Sequence, residues 1–151
     1  MTYELRLQRV LDAPPEIVFD TFVDPDVTEE LFTPPELPGF RVLESDIDLR
    51  VGGTWTIVQE GPDGERYHLT YVFTEVDRPH RLAASFTMRY SRSGRSESSD
   101  VLLTLEERKG KTLLTLVQSG FPTEEERDAY LSGTPAFLDA VARAVSSRVA
   151  R

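Results

Sequence analysis

The chain has 151 residues, a formal net charge of -9 and no cysteine. A chain of this length fits one domain that buries about 70% of its unfolded surface, so its stability requires neither a disulfide nor a structural metal. The negative net charge disfavours nucleic-acid binding, which depends on Lys and Arg to neutralise phosphates. The lack of cysteine excludes disulfides, thiolate metal sites and a cysteine nucleophile.

The N-terminal residues 1–10 alternate polar with apolar side chains and contain no continuous apolar run. A signal peptide needs such a run, and a membrane-spanning helix needs about 18 apolar residues. We therefore expect a single cytoplasmic domain over residues 1–151, with no membrane span and no nucleic-acid partner.

Residues 3–12 have the period-two alternation of a strand, and two short helices are predicted after it, at 16–23 and 26–32. Pro14 ends the strand. Pro15 suits a first helical turn, because its missing N–H would have no partner there in any case. The chain is therefore predicted to begin with a strand and two short helices.

Six further segments alternate apolar and polar residues and are predicted to be strands. They cover 40–49, 54–59, 66–76, 82–90, 101–107 and 112–120. The turns between them are short, as in the Pro-Asp-Gly turn at 62–64. The exception is residues 91–100, whose serines and charges predict a long polar hairpin loop. Strands joined by hairpins run antiparallel.

The C-terminal part changes to a period near 3.6, which predicts helix. Thr123 and Glu126 form a capping box, in which the Thr123 hydroxyl accepts from a backbone N–H and the Glu126 side chain reaches back. The Ser-Gly pair at 132–133 is predicted to interrupt this first helix, and the Thr-Pro pair at 134–135 to start a second one. The apolar ridge of that second helix consists of Phe137, Val141, Val145 and Val149.

These elements predict an α+β fold, in which a curved antiparallel sheet of about seven strands closes around the long C-terminal helix. The apolar ridge of the helix must be buried, and the sheet is the only partner large enough to cover it. A sheet of this size twists and coils strongly, so it should wrap partly around the helix.

No pattern of residues indicates a catalytic or metal site. Asp46 and Asp48 share one face of a strand, which alternation places on the solvent side. His68 is out of phase with the neighbouring aromatic residues, and His80 lies beside two arginines, with no ligand spacing between the two histidines. The serines at 91–99 have no histidine near them in sequence. We therefore expect no catalytic residue, no metal and no cofactor.

A succession of segments resembles the SRPBCC or START-like superfamily, whose architecture is called helix-grip. The closest branch is similar to the proteins related to the activator of the heat-shock protein 90 ATPase. The segments are RVLDAPPEIVFDTFVDPD at 9–26, DLRVGGTW at 48–55, PDGERY at 62–67, FTEVDRPHRL at 73–82 and TLLTLVQSGFPTEEER at 112–127. The chain departs from the family pattern at Gly133-Thr134, where Gly-Trp is frequent, and at Leu31-Phe32, where tryptophans are frequent.

The inner face of the predicted sheet is rich in aromatic and aliphatic residues, which by themselves fit either a filled core or a lined cavity. The resemblance implies the cavity, because helix-grip domains commonly keep an internal space for small apolar ligands. Tyr71, Tyr90 and Gln118 are its candidate polar groups for orienting a ligand. The predicted lining is Trp55, Ile57, Leu69, Tyr71, Phe73, Phe86, Met88, Tyr90, Leu103, Leu114, Leu116, Gln118, Phe137, Leu138 and Val141.

The function that the resemblance implies is non-catalytic binding of a small hydrophobic ligand, with a small apolar molecule as the partner. A chaperone cofactor that stimulates the heat-shock protein 90 ATPase is one alternative, although relatives of that kind carry an additional N-terminal domain. A polyketide cyclase or aromatase-like enzyme is another, and it would need a positioned acid or base. The chain is expected to be a monomer or a homodimer.

Overall fold

The computed structural model describes residues 1–150, which form seven strands and three helices. In chain order these are β1 (Tyr3–Leu11), α1 (Pro15–Phe22), α2 (Thr28–Phe32), β2 (Arg41–Ile47), β3 (Thr54–Glu60), β4 (Arg66–Asp77), β5 (Arg81–Tyr90), β6 (Ser96–Arg108), β7 (Lys111–Phe121) and α3 (Glu124–Val149).

The seven strands form one antiparallel sheet in the order β1-β7-β6-β5-β4-β3-β2. Consecutive strands from β2 to β7 pair through hairpins, and β7 also pairs with β1, the first strand of the chain. The short helices connect β1 to β2, and α3 follows β7 and packs on the sheet and on both short helices. The predicted α+β helix-grip fold is confirmed.

The register of the central strands places one row of side chains on the concave face. Trp55 on β3 pairs with Tyr71 on β4, which pairs with Phe86 on β5, which pairs with Ser99 on β6. Because side chains alternate between the faces of a strand, the residues two positions away on each strand share this face. The row therefore runs beneath α3.

Helix α3 is continuous, and the predicted interruption at Ser132-Gly133 is wrong. The helix passes through Gly133 and Pro135 from Glu124 to Val149 without a break. Gly and Pro disfavour a helix interior by about 1 and 3 kcal/mol, but the buried side chains beyond them outweigh that cost. These are Leu138, Ala140, Val141, Ala144 and Val145. Val149, the last residue of the predicted apolar ridge, is not buried, because its exposed fraction is 51%.

Strand β6 begins at Ser96, five residues before the start predicted from the sequence. Its first residues pair in register with β5, from Ser96 opposite Arg89 to Asp100 opposite Ser85. Polar side chains do not prevent this pairing, because the ladder uses backbone groups and one sheet face is exposed to water. Because β6 starts this early, Glu97 and Ser99 lie on the concave face, in phase with the buried Leu103.

Candidate functional site

An apolar cavity of about 260 Å³ lies between the concave face of the sheet and the helices. Strands β3 to β7 supply most of its wall, and α1, α2 and α3 close it from the other side. The wall consists of Phe22, Phe32, Trp55, Leu69, Tyr71, Phe73, Leu82, Ala83, Ala84, Phe86, Met88, Val101, Leu103, Leu116, Gln118, Ala129, Tyr130, Gly133, Thr134 and Phe137.

Most of the residues that the sequence predicted for the lining do lie on this wall. They are Trp55, Leu69, Tyr71, Phe73, Phe86, Met88, Leu103, Leu116, Gln118 and Phe137. Whether any of them binds a ligand stays a prediction.

The other five predicted residues do not line the cavity. Ile57, Leu114, Leu138 and Val141 are almost fully buried, and they pack into the core around the cavity instead. Tyr90 lies beyond the wall, where its hydroxyl is bound to a carboxylate. Periodicity predicts which face a residue occupies, but the position of the empty space along that face depends on how the helices pack.

Apart from Phe137, sequence reasoning missed the wall residues that the helices contribute. Phe22 ends α1 and Phe32 ends α2, and both rings meet Phe137 of α3, with centroids 5.8 Å and 5.3 Å away. Thr134 and Gly133 line the cavity at the point where the family frequently has Gly-Trp. That departure from the family pattern was the available signal for these positions.

The aromatic rings on the wall form a connected set. The Trp55 ring lies 5.6 Å from that of Tyr71, which lies 4.8 Å from that of Phe86. Phe32 meets Trp55 edge to face at 5.6 Å. Tilted and edge-to-face pairs are the favoured aromatic geometries, so these neighbouring rings stabilise one another on the wall.

The polar groups of the wall differ in whether a protein partner already binds them. The buried Gln118 donates from Nε2 to the Ser99 hydroxyl at 2.8 Å, and the Thr134 hydroxyl donates to the Tyr130 carbonyl at 2.8 Å. The Tyr71 hydroxyl has no hydrogen-bond partner among the described residues. Burial raises the pKa of Tyr71, so it remains a neutral phenol. The Tyr71 hydroxyl is therefore the polar group of the wall that is free to form a hydrogen bond with a ligand.

A polar cluster adjoins the cavity at the wall residue Tyr130. Oε1 of Glu97 accepts hydrogen bonds from the hydroxyls of Tyr90 and Tyr130, each at 3.0 Å. Arg95 lies 3.4 Å from Oε2 of Glu97, and its guanidinium stacks 4.4 Å above the Tyr90 ring. Burial and the Glu97 carboxylate raise the pKa of both tyrosines.

Sequence reasoning also missed Glu97, because residues 91–100 were predicted to be a loop. The signal was the alternation of Glu97 and Ser99 in phase with Val101 and Leu103, which continues the inward face of β6 toward its N-terminal end.

The remaining candidates lie away from the cavity. Asp46 is exposed, and Asp48 pairs with Arg50 at 2.8 Å on the outside of the sheet. His80 contacts the Leu105 carbonyl through Nδ1 at 3.1 Å. Among residues 1–150 no group of three or more His, Cys, Asp or Glu side chains is placed to hold a metal ion. No helix in this range has the length and apolar character needed to cross a membrane.

The solvent-exposed part of the cavity wall lies in the second turn of α3, and we take this side as the mouth of the cavity. Most of the wall residues are buried or half-buried, whereas Ala129 is exposed to solvent. A small molecule would therefore reach Trp55 and Tyr71 by passing the N-terminal part of α3.

A curved antiparallel sheet that holds a C-terminal helix around an apolar cavity defines the helix-grip class. The family model described as Activator of Hsp90 ATPase homolog 1-like protein matches residues 12–146, and the chain belongs to this family. No curated protein matches the sequence significantly.

Solved structures with the same fold include three bacterial proteins. One from Chromobacterium violaceum is 29% identical, with 94% of this chain and 96% of that chain covered and a TM-score of 0.75. One from Mycobacterium smegmatis is 24% identical, with 95% of this chain and 88% of that chain covered and a TM-score of 0.74. The AHSA1 protein from Silicibacter pomeroyi is 22% identical, with 97% of this chain and 99% of that chain covered and a TM-score of 0.79.

Proposed function

We propose that this domain binds a small, mostly apolar molecule in the cavity and does not catalyse a reaction on it. One observation carries the proposal: the wall of an aromatic cavity of about 260 Å³ includes the half-buried Tyr71, whose hydroxyl has no hydrogen-bond partner among the described residues. A pocket with an apolar wall and a few polar groups is the usual form of a small-molecule site. As part of the same proposal, the protein acts in the cytoplasm.

The volume of the cavity limits the size of the ligand. An apolar cavity of about 150 Å³ can bind benzene, whereas sites for drug-sized ligands begin near 300 Å³. This cavity lies between those limits, so we expect a molecule of one or two rings that carries one polar group. A long acyl chain would not fit without movement of α3.

The chemistry of the wall favours binding over catalysis. A general acid or base must reach the reacting atoms and titrate near the working pH. The wall residues carry no charged side chain, and the raised pKa of Tyr71 makes it a poor proton donor or acceptor at neutral pH. Glu97 is not a wall residue, and its Oε1 atom already accepts from the hydroxyls of Tyr90 and Tyr130.

Titration with toluene, p-cresol and 2-naphthol tests the proposal, with Trp55 fluorescence and NMR chemical shifts as readouts. We expect p-cresol and 2-naphthol to bind more tightly than toluene, because their hydroxyl can bond to Tyr71. Ala84→Leu places extra atoms on the wall and should weaken binding. The matched control Val72→Leu lies on the exposed face of β4 and should bind as the parent does.

Two results would contradict the proposal. One is the absence of saturable binding for all three molecules. The other is equal affinity in the Ala84→Leu and Val72→Leu variants, which would place binding outside the cavity. Native mass spectrometry of the purified protein adds an independent readout, since it detects a retained small molecule and the assembly state together.

A further inference from the structure

Glu126 is placed differently from the predicted capping box. The Thr123 hydroxyl accepts from the backbone N–H of Glu126 at 3.2 Å, as expected. The side chain of Glu126, however, lies on the same face of α3 as Tyr130, one turn later, whose hydroxyl donates to Glu97 on β6, and the Glu97 charge acts on it. Its Oε2 atom is buried and has no donor among the described residues.

Two carboxyl groups can share a hydrogen bond only when one of them carries a proton. Oε1 of Glu97 already accepts from two tyrosine hydroxyls and Arg95 lies 3.4 Å from its Oε2 atom, whereas Oε2 of Glu126 has no donor among the described residues. Glu126 is then the protonated partner. This assignment also supplies the buried Oε2 of Glu126 with the hydrogen bond that it otherwise lacks.

The pair joins the first turn of α3 to the sheet at the mouth of the cavity. Glu126 precedes the exposed wall residue Ala129 by less than one helical turn, and Tyr130 follows one turn later. Tyr130 both lines the cavity and donates to Glu97. A change in the Glu97–Glu126 contact therefore acts directly on the segment that a small molecule must pass.

We propose that the proton shared by Glu126 and Glu97 acts as a clasp, which holds the first turns of α3 on the sheet and limits access to the cavity until it is lost at higher pH. The role of the clasp in ligand access rests on the proposed function. The opening of the cavity itself does not, because it can be measured without any ligand.

The direction of the pH effect follows from the groups that surround Glu126. Burial, followed by the Glu97 charge and hydrogen bond, raises the pKa of Glu126 above its ordinary value of 4.5, and Arg95 opposes this. Tyr90 from β5 and Tyr130 from α3 reach the same Glu97 oxygen, and the positive helix N-terminus favours an ionised Glu126. The stabilising contact is complete below pH 4.5 and is lost as the pH rises through the raised pKa.

Acrylamide quenching of Trp55 fluorescence tests the clasp. Trp55 is the single tryptophan, it is buried, and it lines the cavity, so its quenching by a small neutral molecule reports access to the cavity. As the pH rises from below 4.5 through the raised pKa of Glu126, we expect the quenching constant of the parent protein to rise roughly twofold or more. Glu126→Gln, which keeps a donor toward Glu97 but cannot ionise, should remain at the low value throughout.

Glu125→Gln is the matched control, because it removes the same charge from the same turn at an exposed position. It should follow the parent protein. Both histidines are present in every variant, so their titration cannot produce the difference. Circular dichroism confirms that each variant is folded.

A parent quenching constant that does not change with pH would overturn the proposal. So would a Glu126→Gln variant that follows the parent, or a Glu125→Gln variant that loses the pH dependence as well. Failure of the probe molecules to bind would instead count against the proposed function alone, since the quenching experiment contains none of them.

Discussion

Two tyrosines on the cavity wall have hydroxyls in opposite situations. The Tyr130 hydroxyl donates to the Glu97 carboxylate at 3.0 Å, whereas the Tyr71 hydroxyl has no partner among the described residues. Removal of a hydroxyl costs stability only when a protein group loses its bond, and it costs affinity only when a ligand does. The same substitution, Tyr to Phe, should therefore have different effects at the two positions.

For Tyr71→Phe we expect a loss of affinity for p-cresol of about 5- to 10-fold, which corresponds to one neutral hydrogen bond of roughly 1 kcal/mol. The free energy of unfolding should stay within about 0.5 kcal/mol of the parent value, because no protein partner is lost. Calorimetric titration and urea unfolding measure the two quantities. Unchanged affinity would remove Tyr71 from the site.

For Tyr130→Phe we expect the free energy of unfolding to fall by about 1 to 2 kcal/mol, because a bond to a carboxylate is lost. The ring remains on the wall, so toluene should still bind. Urea unfolding at constant pH measures the change. Equal stability of the Tyr130→Phe and Tyr71→Phe variants would show that the bond to Glu97 contributes nothing.

Among the elements, helix α3 shows how packing outweighs local preference. Its interior contains Gly133 and Pro135, and its first half faces the cavity, while Leu138, Val141 and Val145 in its second half are buried in the core. The second half therefore anchors the helix. The first half depends more on contacts at the mouth, including the bond from Tyr130 to Glu97.

Gly133→Ala is expected to stabilise the protein by about 1 kcal/mol, because Ala suits a helix interior better than Gly. A Cβ atom at Gly133 would meet no atom within 4 Å. Gly52 offers a matched control, since its Cβ would also meet nothing within 4 Å, but its φ is +83°. Gly52→Ala should cost about 1 to 2 kcal/mol.

Thermal unfolding of the two alanine variants measures both effects. If Gly133→Ala lowered the midpoint as much as Gly52→Ala, the continuous course of α3 through Gly133 would be wrong.

For the complete domain, a ligand in the cavity should stabilise the folded state, because the cavity exists only there. At a ligand concentration of 100 times Kd the gain is about 2.7 kcal/mol, which for a domain of this size raises Tm by roughly 5 to 10 °C. Calorimetry with p-cresol measures the shift. Ala84→Leu should reduce it, and Val72→Leu should leave it unchanged.

Much of the architecture could be predicted because its signals are local. Alternation along β4 placed Leu69, Tyr71 and Phe73 on one face, and the structure confirms that face. Turn residues and hairpin lengths predicted antiparallel pairing, which is also confirmed. Two predicted boundaries are wrong. The start of β6 lies at Ser96 because its polar residues pair with β5, and α3 continues through Gly133 because its apolar side chains are buried.

Local patterns were therefore sufficient for the order of the elements, the antiparallel sheet and the apolar faces, since each depends on neighbours within a few residues. The empty volume and the Glu97–Glu126 contact depend instead on the distance between α3 and the sheet. That distance is set by the packing of Phe22, Phe32 and Phe137, which lie far apart in the chain. Periodicity assigns a side chain to a face, but it carries no information about the gap that the face leaves.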